Sequence, residues 1–160
     1  MAKVICICGK ICSGKSWYAR QLQKAENAVI LSCDEITTGI FDGNLGDQHE
    51  IILEKVKQYL LSKSLEMIAC GCNVILEWGF WTEKEREQIT QYYRTHNIDC
   101  QWHYVDISDE DWQRNIRLRN LAVAEGKTSD YPLDEGLLQK LTSVFEQPEK
   151  DSMDVWHQNH

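Results

Sequence analysis

Apolar positions along this chain fall into short unbroken runs separated by longer stretches with helical spacing. Val4-Ile5-Cys6-Ile7-Cys8 leaves no position for water, the pattern of a strand buried on both faces. Ala28-Val29-Ile30-Leu31-Ser32 and Val74-Ile75-Leu76 repeat it, and Ile98 to Ile107 gives a fourth strand. Between these runs the period changes. Trp17, Tyr18 and Leu22 are spaced for a helix over Trp17 to Lys24, and Ile51, Ile52, Val56, Leu60, Leu61, Leu65 and Ile68 for a long one from Asp47 to about Ala69, stopped by Gly71. Thr82 with Glu85 forms a capping box for a helix to about Thr95. Ser108 caps another that carries Trp112, Ile116, Leu118 and Leu121 and ends at Gly126, and a last helix covers about Asp134 to Phe145. The glycine-bearing, polar stretch that follows Ser32, to Gly46, reads as a long loop, and Met153 to Trp156 as a segment too short to decide.

Strands alternating with helices predict an α/β fold of three layers. A parallel sheet of four to five strands would carry helices on both faces, because crossovers between parallel neighbours need them. At 160 residues the expectation is a single domain spanning 1–160. Two prolines and 26% charged residues leave no low-complexity tail to set aside. A net charge of −8 disfavours a surface that must neutralise a run of phosphates, which makes a nucleic-acid partner unlikely without excluding one. No stretch approaches the roughly 18 apolar residues of a membrane span, and Met1 leads straight into a strand without a signal-peptide pattern, so the expected location is the cytoplasm. Seven scattered cysteines and five histidines, His49, His96, His103, His157 and His160, form neither a disulfide framework nor a metal motif; reduced thiols are expected. A monomer is the default.

The candidate chemistry begins at Gly9-Lys10-Ile11-Cys12-Ser13-Gly14-Lys15-Ser16. It fits G-x-x-x-x-G-K-[ST] and lies between a predicted strand and a predicted helix. Gly9 and Gly14 let the backbone curl so that N–H groups aim at phosphate oxygens, with the positive end of the helix behind them. Lys15 should reach the outer phosphates of ATP, and the Ser16 hydroxyl should hold the accompanying Mg²⁺. Cys12, within the loop, is either a tolerated small side chain or an oxidation-prone thiol.

Such a loop alone does not separate kinases from GTPases, but Glu77-Trp78-Gly79-Phe80 stands where a switch GTPase would carry Asp-x-x-Gly. Asp34 follows the second strand at its C-terminal edge, where open α/β sheets bind ligands, and is the candidate base for an attacking hydroxyl. Glu77 ends the third strand and is a candidate to hold a metal-bound water or to meet substrate. Trp78, Phe80 and Trp81 could wall an acceptor pocket together with the loop Thr37 to Gly46, or simply pack. Arg114, Arg117 and Arg119 cannot all share one helix face. Arg119 is favoured for phosphate contact, and Arg117 is a second candidate.

These segments resemble the small P-loop kinase-like proteins related to polynucleotide kinase and zeta toxin. Gly9 to Ser16 looks like that family's phosphate loop, Leu31 to Ile36 its acidic segment, and Val74 to Trp81 its third-strand segment. Arg86 lies at a similar offset and by this likeness joins the substrate candidates. Asn115 to Asn120 looks like the lid, and Phe145 to Pro148 with Asp151 like the C-terminal signature. The resemblance implies phosphoryl transfer from ATP to the hydroxyl of a small molecule, with a nucleic-acid 5′ end or a non-catalytic ATP-binding regulator as alternatives. Two departures matter: Glu77 replaces the commoner Asp, and Glu35-Ile36-Thr37-Thr38 lacks the arginine that several polynucleotide kinases carry there.

Overall fold

Strand β1, Val4–Cys8, lies at the centre of the sheet because it has no face to give to solvent; all five residues are fully buried. The computed structural model describes residues 1–42, 45–128 and 130–159. Around β1 the strands β2 (Ala28–Leu31), β3 (Asn73–Gly79), β4 (Cys100–Ile107) and β5 (Val155–Asn159) run parallel in the order β2-β3-β1-β4-β5. Alternation along β1 divides the core. Val4, Cys6 and Cys8 pack into a large cluster with Leu60 and Leu61 of helix α3 (His49–Ala69) and Ile89 and Tyr93 of helix α4 (Glu83–Thr95). Ile5 and Ile7 face the other way, against Tyr18 and Ala19 of helix α1 (Lys15–Glu26). The expected three layers follow from this split.

Register places the working ends. Cys6 stands opposite Leu76, but Cys8 stands opposite Gly79, so β3 carries one extra residue beside the end of β1. A bulge of this kind re-aims side chains at a strand end, and here the displaced residues are Glu77 and Trp78.

The caps act as their sequence predicts. Glu85 N–H donates to Thr82 Oγ1 at 3.1 Å, and Asp111 N–H to Ser108 Oγ at 3.2 Å at the head of helix α5 (Asp109–Ala124). Leu137 N–H donates to Asp134 Oδ1 at 2.7 Å at the head of helix α6 (Glu135–Val144).

One expectation fails outright: the segment after β2 is not a loop but helix α2, Cys33–Phe41. Ser32 Oγ accepts the Glu35 N–H at 3.3 Å, and Asp34 and Glu35 put negative charge on the first turn, where the helix end is positive. These cap signals outweigh the poor helix formers Thr37, Thr38 and Gly39. Two smaller differences are that α1 begins at Lys15, directly out of the left-handed Gly14 at φ 96°, and that the undecided C-terminal segment forms β5 one residue pair further on. Gly43 and Asn44 of the predicted acceptor loop, and His160, lie outside the described residues. All seven cysteines are free thiols. No described helix is long and apolar enough to cross a membrane.

His103 sits on β4 at 5% exposure, its Nδ1 2.8 Å from the Tyr18 hydroxyl and its Nε2 buried without a partner among the described residues. Burial lowers its pKa; Asp154 and Glu26 oppose the shift, and Lys3 and His157 add to it. The folded chain therefore binds fewer protons than the unfolded chain as pH falls below the ordinary histidine value of about 6.5. Stability present above that value is lost as pH falls through the folded pKa. The melting temperature should drop on going from neutral to mildly acid buffer, and His103→Gln should flatten that slope. Equal slopes in the two proteins would show that another group titrates.

Candidate functional site

From Cys8 the chain turns through the loop into α1, and the loop's carbonyls can be followed one by one. Lys15 Nζ donates to Gly9 O at 2.9 Å and to Lys10 O at 2.8 Å. Trp112 Nε1 donates to Ile11 O at 2.7 Å, and Asn115 Nδ2 to Cys12 O at 3.1 Å. Asn159 Nδ2, from the far end of β5, donates to Ser13 O at 2.9 Å. Five consecutive carbonyls are thus held from outside, which leaves the N–H side of the loop for the space in front of it. Gly9 has no room for a side chain, since a Cβ would stand 2.7 Å from Ser13 Oγ and 2.9 Å from Val105 O. Gly14 combines a left-handed backbone with direct contact to the Asn159 amide. Ser13 is fully buried and its Oγ lacks a partner among the described residues, an orphan polar atom in the loop interior.

Helix α5 is the strap behind the loop. Trp112, Asn115 and Arg119 recur at i, i+3 and i+7 and so share one face. Arg119 points a guanidinium nitrogen at Cys12 Sγ, 4.0 Å away, donates to Tyr131 O at 3.3 and 3.4 Å, and lies 4.8 Å over the Tyr131 ring. The neighbouring Asn120 pairs both ways with the backbone of Leu133, at 2.7 and 2.9 Å, which fastens the segment after α5 to the helix.

In front of the loop opens a cleft of about 710 Å³. Its floor is Gly14, Lys15 and Ser16. One wall is α2 and its surroundings, with Asp34, Thr37, Thr38, Asp42 and His49; Trp78 and Trp81 stand beside it, and Arg119, Thr128 and Tyr131 face it. Glu77 lies at the back beside Ser16, whose hydroxyl favours its ionised form. Burial raises the Glu77 pKa against the pull of Lys15, with Asp34 raising it further. Burial likewise lowers the Lys15 pKa, opposed first by Glu77 and then by Cys12, Cys8 and Asp34. Lys15, Glu77 and Asp34 therefore feel one another across the cleft.

Four predicted site residues, Phe80, Arg86, Arg117 and Lys10, are elsewhere. Phe80 is fully buried, 5.6 Å from the Trp78 ring and edge-on to Trp102 at 4.9 Å, so it belongs to the core. Arg86 is turned inward: Nη1 donates to Phe80 O at 2.7 Å and Nη2 to Glu146 O at 2.9 Å, and it lines a separate cavity of about 370 Å³. Both serve the turn after β3. Arg117 is exposed on α5 and off the cleft wall, while Arg114 pairs with Asp111 at 2.5 Å. Lys10 lies behind the loop, 4.0 Å over the Trp112 ring and 3.8 Å from Asp109. Asn159 and His49 also reach the site without having been candidates, while Asn115 and Asp42 were expected only as parts of the lid segment and of the loop Thr37 to Gly46. The spacing of Trp112, Asn115 and Arg119 was the available signal for Asn115; nothing local marks Asn159.

A family model described as an AAA domain matches residues 4–148. No curated protein matches the chain. Solved structures share the fold at low identity. One is a protein of Chloroflexus aurantiacus described as a presumed kinase, with 15% identity, TM-score 0.73, and coverage of 98% of this chain and 86% of that one. Another is the APS kinase of Mycobacterium tuberculosis in complex with AMPPNP and APS, with 16% identity, TM-score 0.67 and coverage of 98% and 88%. A gluconokinase of Sinorhizobium meliloti aligns with 15% identity, TM-score 0.60 and coverage of 98% and 82%.

The grip on the loop carbonyls has a measurable consequence. Asn115→Ala and Asn159→Ala each delete one hydrogen bond worth about 1 kcal/mol, so local amide exchange over residues 10–14 should quicken about fivefold. Exchange in β3 should not change. Unchanged exchange at the loop would mean that the backbone holds its shape without these amides.

Proposed function

We propose that this chain, which belongs to the AAA-domain family matched above and has a kinase-like P-loop fold, transfers the γ-phosphoryl group of ATP to a hydroxyl of a small molecule. The observation that carries this reading is the meeting of Lys15, Glu77 and Asp34 in one cleft. A loop that only held nucleotide would need no carboxylate at the mouth of β2 facing it.

Roles follow from position. The loop's N–H groups and the start of α1 take the phosphates, and Lys15 exchanges its two carbonyl partners for the outer phosphate oxygens. Asp34, exposed on the first turn of α2, accepts the proton of the acceptor hydroxyl. The acceptor oxygen forms a bond to the γ-phosphorus as the bond to the bridging oxygen breaks, and ADP leaves with that electron pair. Arg119 supplies charge to the phosphate oxygens from the wall opposite.

The residues also fit Mg²⁺. Ser16 and Glu77 put a hydroxyl and a carboxylate side by side at the loop's exit, and no group of three or more His, Cys, Asp or Glu gathers among the described residues. A hard ion held by one or two protein oxygens plus phosphates is what such a donor set suits. When bound, Mg²⁺ would neutralise phosphate charge.

The test measures ADP release from ATP and Mg²⁺ across alcohols, sugars, nucleosides and oligonucleotide 5′ ends. An effective acceptor should raise the rate. Asp34→Asn should cut the acceptor-dependent part about 10²–10⁴-fold while ATP still binds. Lys15→Ala should weaken ATP itself. Stimulation confined to oligonucleotide ends would assign a nucleic-acid acceptor, and ATP binding that no acceptor turns into release would leave a nucleotide-binding regulator.

A further inference from the structure

The wall of the cleft that would receive the acceptor carries no cationic side chain except that of a histidine. From Asn27 to Glu54 the chain has no lysine and no arginine, while Asp34, Glu35, Asp42, Asp47, Glu50 and Glu54 give it six acidic groups. Of this span, α2 with Asp42 beyond it and His49 at the start of α3 build that wall. Asp34 opens α2 and Asp42 closes it, and both line the cleft together with Thr37, Thr38 and His49. The cleft's positive side chains, Lys15 and Arg119, stand instead on the loop and the strap. Gly43 and Asn44, outside the described residues, add no charge by their type.

An anionic acceptor would have to enter this wall unpaired and against like charge, at a cost that grows as the cleft closes and water leaves. A cationic one would be drawn to it. Hydroxyls of Thr38 and the indoles of Trp78 and Trp81 add hydrogen-bond partners and flat apolar faces of the kind that sugar rings cover. About 12 Å of helix separates Asp34 from Asp42, more than one sugar ring spans.

We infer that the acceptor is an amine-bearing polyhydroxyl compound, one or two sugar units long, whose reacting hydroxyl meets Asp34 and whose ammonium group meets Asp42. This rests on the kinase reading above and names the substrate class of the same site. The amine keeps its proton and is not the nucleophile; the bond made is hydroxyl oxygen to phosphorus.

Two matched series test it, each differing only at C1 as an ammonium, hydroxyl or carboxylate group: glucamine, sorbitol and gluconate, then 1-amino-1-deoxylactitol, lactitol and lactobionate. Binding is read by tryptophan fluorescence in the presence of a non-hydrolysable ATP analogue, and turnover by ADP release. The amine should bind about fivefold more tightly than the neutral member, and the carboxylate more weakly still. The amine's advantage over the neutral member should shrink in high salt and vanish in Asp42→Asn. Equal binding of all three charge forms, preference for the carboxylates, an advantage that survives Asp42→Asn, or binding of none would each overturn the inference. Turnover separates the two claims. Release of ADP with carboxylates preferred keeps the kinase and removes the amine; selective amine binding without release keeps the ligand class and removes the kinase.

Discussion

The site depends on the complete satisfaction of the phosphate loop's carbonyls. A loop that turns successive N–H groups toward one point must turn its C=O groups away, and each one left buried and unpaired would cost about 1–3 kcal/mol. Here Lys15, Trp112, Asn115 and Asn159 supply a donor to every carbonyl from Gly9 to Ser13. These donors come from α1, α5 and β5, elements that are far apart in the chain. The loop's shape is therefore a property of the whole fold. A short match to the motif could not hold that shape by itself.

The same dependence explains the sheet. β5 pairs with β4 from His103↔Val155 to Ile107↔Asn159, and that register sets Asn159 beside Ser13 and Gly14. On the other side of β1, the extra residue of β3 sends Glu77 toward Ser16. Two register choices, one on each flank of the central strand, thus aim one amide and one carboxylate at the loop between them. The large aromatic residues pack where they secure those choices: Trp78 donates to Leu31 O at 3.0 Å and Trp156 to Asp106 at 3.1 Å, each tying neighbouring strands at their C-terminal ends.

Much of this was legible because buried parallel strands write themselves as unbroken apolar runs, and the glycine-lysine motif needs no tertiary context to be seen. The helix caps at Thr82 and Ser108 were legible for the same local reason. α2 was missed because its evidence was split. Ser32-Cys33-Asp34-Glu35 is a sound helix start, but Thr37-Thr38-Gly39 is a poor helix, and composition outweighed the cap. Phe80 and Arg86 were misplaced because adjacency to Glu77 cannot tell which face a residue takes once a strand ends. With φ 47° at Phe80, the chain turns its ring into the core, and Arg86 holds that turn. Asn159 was invisible, since its partner is 146 residues away.

Electrostatics gives the cleft a direction. Burial lowers Lys15 and raises Glu77, so each leans toward its neutral form and is held charged chiefly by the other, while Asp34 favours the charged lysine and disfavours the charged Glu77. Incoming phosphates would supply what Lys15 lacks and free it from the Gly9 and Lys10 carbonyls. At the far wall the carboxylates of α2 face no fixed cation of their own element. The lysine and arginine of the cleft thus stand at the loop and the strap, and α2 offers carboxylates alone. On the proposed reading a polyphosphate would settle at the loop, and a compound lying between it and α2 would present its hydroxyl toward the phosphates and any positive charge away from them. That order would not depend on either ligand, because the lysine and the carboxylates of α2 are fixed on different sides of the same sheet edge.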